Sequence, residues 1–222
     1  AVLARSVADG IQGDRLASAL SRCHRNPLFI EELARQPVAP MPVDPELLTR
    51  LRNESAVPDA LYEPLLSRLY TSGADVGIAQ AAATIGRVFT RDVLGDVTSR
   101  GPELVDRGLR SLLDGGLLDE EGDDVYSFRH ALIRDVAYEL QPREQRATMH
   151  GRVGDALRAR RKRGADVSWG AIATHFHAAG RLAAAIESYA AAADDSRERG
   201  SMTSGIEQLG TAIDLIGELG PD

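Results

Sequence analysis

Only one stretch of this 222-residue chain alternates apolar and polar residues as a strand does. Leu117-Leu118-Asp119 can pair, across a turn through Glu121-Gly122-Asp123, with Val125-Tyr126-Ser127-Phe128-Arg129. Elsewhere the apolar residues recur at helical spacing or are interrupted by proline. A chain with one hairpin cannot close a sandwich or a barrel, so its core must be made by helices, with the hairpin packed at their edge. Composition agrees: aromatic residues are 5% of the chain while Ala and Leu are abundant, which suits close helix packing better than cross-strand aromatic pairs.

The sequence divides into four stretches. Residues 1–36 are expected to form two short helices, the second entered at Asn26-Pro27, where proline fits a first turn and Glu31 and Glu32 favour the helix dipole. Pro37, Pro40, Pro42 and Pro45 make 37–56 a linker. The stretch 57–140 begins with a helix carrying Leu61, Leu65, Leu66 and Leu69. A second helix covers Val76 to Ile85, a short third starts near Thr90, and a fourth runs from Pro102 to Asp114 with Leu104, Val105, Leu109, Leu112 and Leu113 on one stripe. Gly115-Gly116 ends that helix and the hairpin follows, an order expected of a winged helix. The last stretch, 141–222, is helical throughout. Its apolar faces are Met149, Val153, Ala156 and Leu157; Ile172, Phe176 and Ala179; Leu182, Ile186, Tyr189 and Ala193; and Ile206, Leu209, Ile213 and Ile216. A shift of about 34 residues sets Ile172 on Ile206, Ala179 on Ile213 and Leu182 on Ile216, the tetratricopeptide period.

Several chemistries are excluded by counting. Of the 26 Lys and Arg residues only Lys162 is a lysine, and it follows Arg161, so there is no Gly-Lys-Ser/Thr loop to cradle phosphates. A kinase-type lysine, a Schiff base and a Ser-x-x-Lys pair are set aside with it. Cys23 is the sole cysteine and can form no internal disulfide, which together with the lack of a long apolar run points to the cytoplasm and away from membranes. No metal site is expected: His175 and His177 point to different sides of one helix, and the acidic hairpin tip lacks the ligand order of a calcium loop. The net charge of −7, the acidic wing and a fourth helix bearing Glu103, Asp106, Arg107, Arg110 and Asp114 argue against direct DNA binding. A basic stretch does run from Gln141 to Asp166, richest at 160–163, where it is either a helix-end charge cluster or a patch for an acidic partner or nucleic acid.

Two segments resemble a known family. Arg25-Asn26-Pro27-Leu28-Phe29-Ile30-Glu31-Glu32-Leu33 is similar to the Gly-Asn-Pro-Leu-Phe-x-x-Glu-Leu segment near the end of the nucleotide-binding module of bacterial STAND ATPases, relatives of AAA+ and NB-ARC proteins. Phe128-Arg129-His130-Ala131-Leu132-Ile133-Arg134-Asp135-Val136-Ala137-Tyr138 resembles the Phe-x-His-x-Leu-x-Arg-Glu-x-x-Tyr segment that closes their winged helix. Such proteins include large LuxR-type regulators and ATPases fused to class III adenylate cyclases in actinobacteria.

The resemblance implies a mostly α fold: 1–36 the last helices of a nucleotide-binding module, 37–56 a Pro-rich linker, 57–140 a winged helix, and 141–222 tetratricopeptide-like repeats. It implies that Pro27 packs on the adenine and His130 reaches the β-phosphate of ADP in a longer parent protein, while this chain binds no cofactor alone and has no catalytic residue. Arg25 in place of Gly, and Ala131 where many eukaryotic relatives have Asp, depart from the pattern. Both site residues also have local readings, Pro27 as a helix-start proline and His130 as a histidine that caps or packs at a helix start. The expected function is a non-catalytic regulatory segment coupling the nucleotide state of an upstream P-loop module to a protein or peptide effector on the repeats. The alternatives are a DNA-binding winged-helix regulator and a free-standing tetratricopeptide adaptor.

Overall fold

The computed structural model describes residues 65, 66, 68–70 and 75–219. The expected helices over 1–36, Pro27, the linker over 37–56 and Leu61 lie outside the described residues. The elements are α1 (Val76–Ile85), β1 (Val88–Thr90), α2 (Arg91–Thr98), α3 (Pro102–Asp114), β2 (Leu118–Gly122), β3 (Val125–Phe128), α4 (Ala131–Glu139), α5 (Arg143–Lys162), α6 (Trp169–Ala178), α7 (Leu182–Glu198) and α8 (Met202–Leu219). The structure is mostly helical with one small antiparallel sheet of order β1-β3-β2.

Local chemistry explains the helix ends. The Asp75 carboxylate accepts from the Ile78 amide at 3.1 Å to start α1, and Thr90 does the same for Val93 in α2. Pro102 occupies the first turn of α3, and the Arg68 guanidinium donates to the carbonyls of Gly115 and Gly116 just past its end. The helices over 76–85 and 102–114 are therefore where their caps and apolar spacing put them.

The hairpin is present, with its turn moved. β2 runs on to Gly122 through an irregularity between Glu120 and Gly122, and Asp123 and Asp124 make the turn with φ of 46° and 61°. Two left-handed residues match the twist of the flanking strands, and Asp tolerates that region better than most side chains. A further strand, β1, pairs antiparallel with β3 (Val88↔Ser127, Phe89↔Tyr126). At three residues it is too short for alternation to reveal. It places Phe89 against Tyr126 and Phe128, each ring centroid 6.0 Å away.

Two expected faces are corrected. Leu104 is 48% exposed, because α3 buries Val105, Gly108, Leu109 and Leu112 and position 104 falls about a quarter turn off that row. In α8 the stripe Ile206, Leu209, Ile213 and Ile216 faces outward, at 47–67% exposure, while Gly205, Ala212 and Leu215 turn inward. The small row lets α8 lie close on α7, with the Gly205 Cα facing the Ala193 carbonyl. The 34-residue offset thus equates a fully buried Ile172 with an exposed Ile206, so the two positions share spacing and not environment.

One continuous core joins Leu65, Leu66 and Leu69 to the sheet and helices α1 to α5; a second cluster around Ile172, Phe176, Ala185 and Leu215 lies among α6, α7 and α8. The described helices from α5 onward pack each on the next, the last two joined to their predecessors by three-residue turns.

Helix glycines divide into two kinds, and their substitution separates them. A Cβ at Gly108 would lie 2.7 Å from Ile78 Cγ1, so Gly108→Ala should lower unfolding stability by about 1–3 kcal/mol through overpacking. At Gly95, where nothing lies within 4 Å, the same change should raise stability by up to about 1 kcal/mol through helix propensity. Urea denaturation of both variants checks the opposite signs.

Candidate functional site at the junction of sheet and helical stack

The segment Phe128–Tyr138 spans the end of β3 and all but the last residue of α4. Phe128 is buried in the core, its amide bonded to the Arg87 carbonyl at 3.0 Å, and the Arg129 side chain pairs with Asp119 across the hairpin. That pairing holds the Asp119 carboxyl below its ordinary range, with His130 adding a smaller effect in the same direction. Ile133, Val136 and Ala137 bury one face of α4. Arg134 donates to the Ala83 carbonyl of α1 at 3.1 Å and bonds Asp135, and its guanidinium lies 5.3 Å from the centre of the Tyr138 ring.

His130 is the residue at the N-terminus of α4, extended at φ −132° and ψ 136°, and its imidazole does not cap the helix. Of the two local roles open to it in the sequence, capping is therefore removed. It is partly buried and sits where the first amides of α4 emerge. Its proposed companion, Pro27, lies outside the described residues.

At the other end of α4 the structure assembles three groups that sequence reasoning did not connect. The Tyr138 hydroxyl is 2.8 Å from His150 Nε2 of α5, and His150 Nδ1 is 2.9 Å from His175 Nδ1 of α6. The two imidazoles lie 5.1 Å apart, and Arg146 stacks on the Tyr138 ring from α5. This line ties the helix that leaves the sheet to the first two helices of the stack. Its imidazoles are held toward the neutral form: burial is the main reason the pKa of His150 is lowered, with Arg134 and Arg146 adding. Burial likewise lowers His175, to about 4, with His150 and Arg134 as smaller causes. One nitrogen of the facing pair must donate and the other accept, which two neutral imidazoles satisfy and two charged ones do not. The sequence held a faint sign of the pairing, since His150 and His175 fall on the apolar faces marked by Val153 and by Ile172 and Phe176. His177, two residues on from His175, is exposed beside Tyr189, as its spacing implies.

The basic stretch over 141–166 is engaged in part within the molecule, while Arg143, Arg152, Lys162 and Arg163 are exposed. Arg160 bonds Asp96 at 2.8 Å; Arg161 bonds Asp195 at 2.7 Å and the Val167 carbonyl, and lies over Trp169. Arg158 pairs with Asp155 and covers Phe176. A cleft of about 370 Å³ between α2, α3 and α5 is lined by Arg91, Asp96, Arg100 and Arg160, but these too have partners: Asp106 for Arg91, Asp75 for Arg100 and Asp96 for Arg160. The bidentate Arg91 contact lowers the Asp106 pKa and raises that of Arg91. Among the described residues no group of three or more His, Cys, Asp or Glu is placed to hold a metal ion, and no helix is long and apolar enough to cross a membrane.

The chain is 31% identical over 198 residues to an uncharacterized protein of Rhizobium meliloti (strain 1021), a match that takes in 87% of this chain and 19% of that protein. The chain therefore spans less than a fifth of the length of the curated relative it matches. No protein-family model matches it, and no solved structure does.

The histidine line makes stability depend on pH. Because the folded-state pKa of His175 lies below that of an unfolded histidine, the unfolded chain takes up the proton first. The stabilisation is complete above pH 6.5 and is lost as pH falls toward about 4, amounting to about 3 kcal/mol at the acid end. In thermal melts the wild type should lose Tm across that window, and His175→Phe should flatten the slope there whatever its Tm at neutral pH.

Proposed function

We propose that this chain is a non-catalytic relay segment of a longer STAND-type signalling ATPase, in which a winged helix is followed by tetratricopeptide-like repeats. The observation that carries the reading is the Phe128–Tyr138 segment, which makes contacts at both ends of one short helix. His130 stands where α4 begins beside the sheet, and Tyr138 holds the far end to α5 and, through His150, to α6. A displacement of α4 is felt by the stack through these contacts. The element order α1-β1-α2-α3-β2-β3 with sheet order β1-β3-β2 supports a winged helix, and the succession α5 to α8 supports a repeat platform for a protein or peptide effector.

In this reading ADP bound to an upstream P-loop module is met by Pro27 on the adenine and by His130 at the β-phosphate. An imidazole N–H and the positive end of α4 both favour an anion there. Contact made only in the closed, ADP-bound state stabilises that state by about 1–3 kcal/mol, the range for a charge-assisted hydrogen bond. The output of the longer protein is of the LuxR-type regulator or adenylate-cyclase kind, and its setting is the cytoplasm. This segment itself needs no nucleotide, does not contact DNA and does not touch a membrane.

His130→Ala in the full-length protein should speed ADP dissociation by about 5- to 150-fold, the equivalent of that energy, and leave the fold of the 222-residue chain unchanged. Equal dissociation rates from wild type and variant return His130 to a packing role. The 222-residue chain alone, lacking Gly-Lys-Ser/Thr, should show no ATP hydrolysis above buffer.

A further inference from the structure

The outward face of α8 is unlike that of any other described helix. Met202, Ile206, Leu209, Ile213 and Ile216 are all 47–67% exposed and fall within about a quarter turn of one another, a continuous apolar stripe along the whole helix. Two further rows lie beside it. Gly210 and Gly217 come next around the helix, and an added Cβ at either would meet nothing within 4 Å, so a second backbone can approach closely. Beyond them Glu207, Asp214 and Glu218 form a row of carboxylates, and the chain has no Lys or Arg after Arg199.

The rest of the stack shows what such a face is for. Phe176 of α6 is fully buried against Gly154 of α5; Ile172 of α6 is fully buried in the cluster that α7 and α8 complete; Ala193 of α7 is buried beside Gly205 of α8. In each case the apolar face of one helix is covered by a neighbour in chain order. Ile206 and Ile213 stand one 34-residue period after Ile172 and Ala179, yet among the described residues no helix covers them.

We propose that the α8 stripe is the docking face for a further helix of the same polypeptide, one bearing an apolar stripe of its own flanked by a row of Arg or Lys. This rests on the reading above that the chain is part of a longer protein, which the 19% span of the Rhizobium relative supports. Charge selects against the obvious rival: a second copy pairing α8 with α8 brings together two helices that each carry acidic residues and no basic one, whereas a basic row opposite Glu207, Asp214 and Glu218 is attracted.

The experiment is cysteine protection. Cys23→Ser removes the sole thiol of these 222 residues, any others in the longer product being replaced likewise, and Ile213→Cys places a new one at a site 65% exposed. The 222-residue chain should react with a maleimide as an open thiol does, at a rate independent of protein concentration. The longer natural product should react about tenfold more slowly or less, and Glu207→Lys/Asp214→Lys in that product should restore much of the reactivity. If the natural product proves no longer than this chain, both the relay reading and the docking proposal are overturned. If it is longer and the introduced thiol reacts as fast, the docking proposal alone is overturned. Protection of the 222-residue chain that grows with its own concentration, together with dimers in sedimentation, gives the face to a second copy and overturns the proposal as well.

Discussion

The structure depends on burying one small helix on nearly all sides. In α1, Ile78, Ala79, Ala81, Ala82, Ala83 and Thr84 are all inaccessible or nearly so, and α1 touches α2, α3, α4, α5 and β1. Short side chains let several neighbours approach one helix closely, and the run Ala81-Ala82-Ala83 supplies them. At one of these approaches, Gly108 of α3 against Ile78, not even a methyl fits. Polar groups at the helix surface are satisfied in turn. The carbonyl of Ala83 accepts from Arg134, and the buried Gln141 amide donates to the Gln80 carbonyl and the Thr84 hydroxyl. Each unmet group there would cost about 1–3 kcal/mol, so the residues that follow α4 are fixed to α1 as firmly as α4 itself.

From this hub the molecule extends through α5, a 20-residue helix that belongs to both cores. One part supports α1 and α2; another meets α6 at Gly154, where the Phe176 ring lies on bare backbone. Arg158 and Arg181 cover that ring, each 4.7 Å from its centre, and Asp155 holds both guanidiniums. Exposed pairs of this kind contribute little individually, at about 0–1 kcal/mol. Their effect is to keep two cations over an aromatic face, which shields it from water. The histidine line runs alongside this contact, so any change in the relation of α4 to α6 must disturb packing and hydrogen bonds together.

That arrangement bears on what kind of function the molecule can carry. Arg91, Arg158, Arg160 and Arg161 are paired with Asp106, Asp155, Asp96 and Asp195, so these four guanidiniums are engaged within the fold. What the junction offers is a short helix that begins beside the sheet and is bonded at its other end, through Tyr138, to the imidazole pair.

Helical spacing and capping chemistry by themselves determined the bounds of α1 and α3 and marked the helices α6, α7 and α8, because a 3.6-residue period and an N-cap are properties of neighbouring residues. The hairpin was legible for the same reason. So was the lack of a phosphate loop, which needs only a count of lysines. Tertiary structure decided everything that required two distant segments to meet. β1 exists because β3 offers it partners; Leu104 is exposed because the core lies a quarter turn away; Arg160 and Arg161 are structural because Asp96 and Asp195 come to them across the fold. The stripe of α8 shows the limit most plainly. Periodicity reveals that a helix has an apolar face, but only a neighbour in space makes that face a core, and at Ile206 and Ile213 the neighbour is not among the described residues. The junction was half visible. Phe128, His130 and Tyr138 were marked by the family resemblance of the segment that holds them, whereas His150 and His175 joined them only when α5 and α6 folded back, since no local pattern records which imidazole will face which.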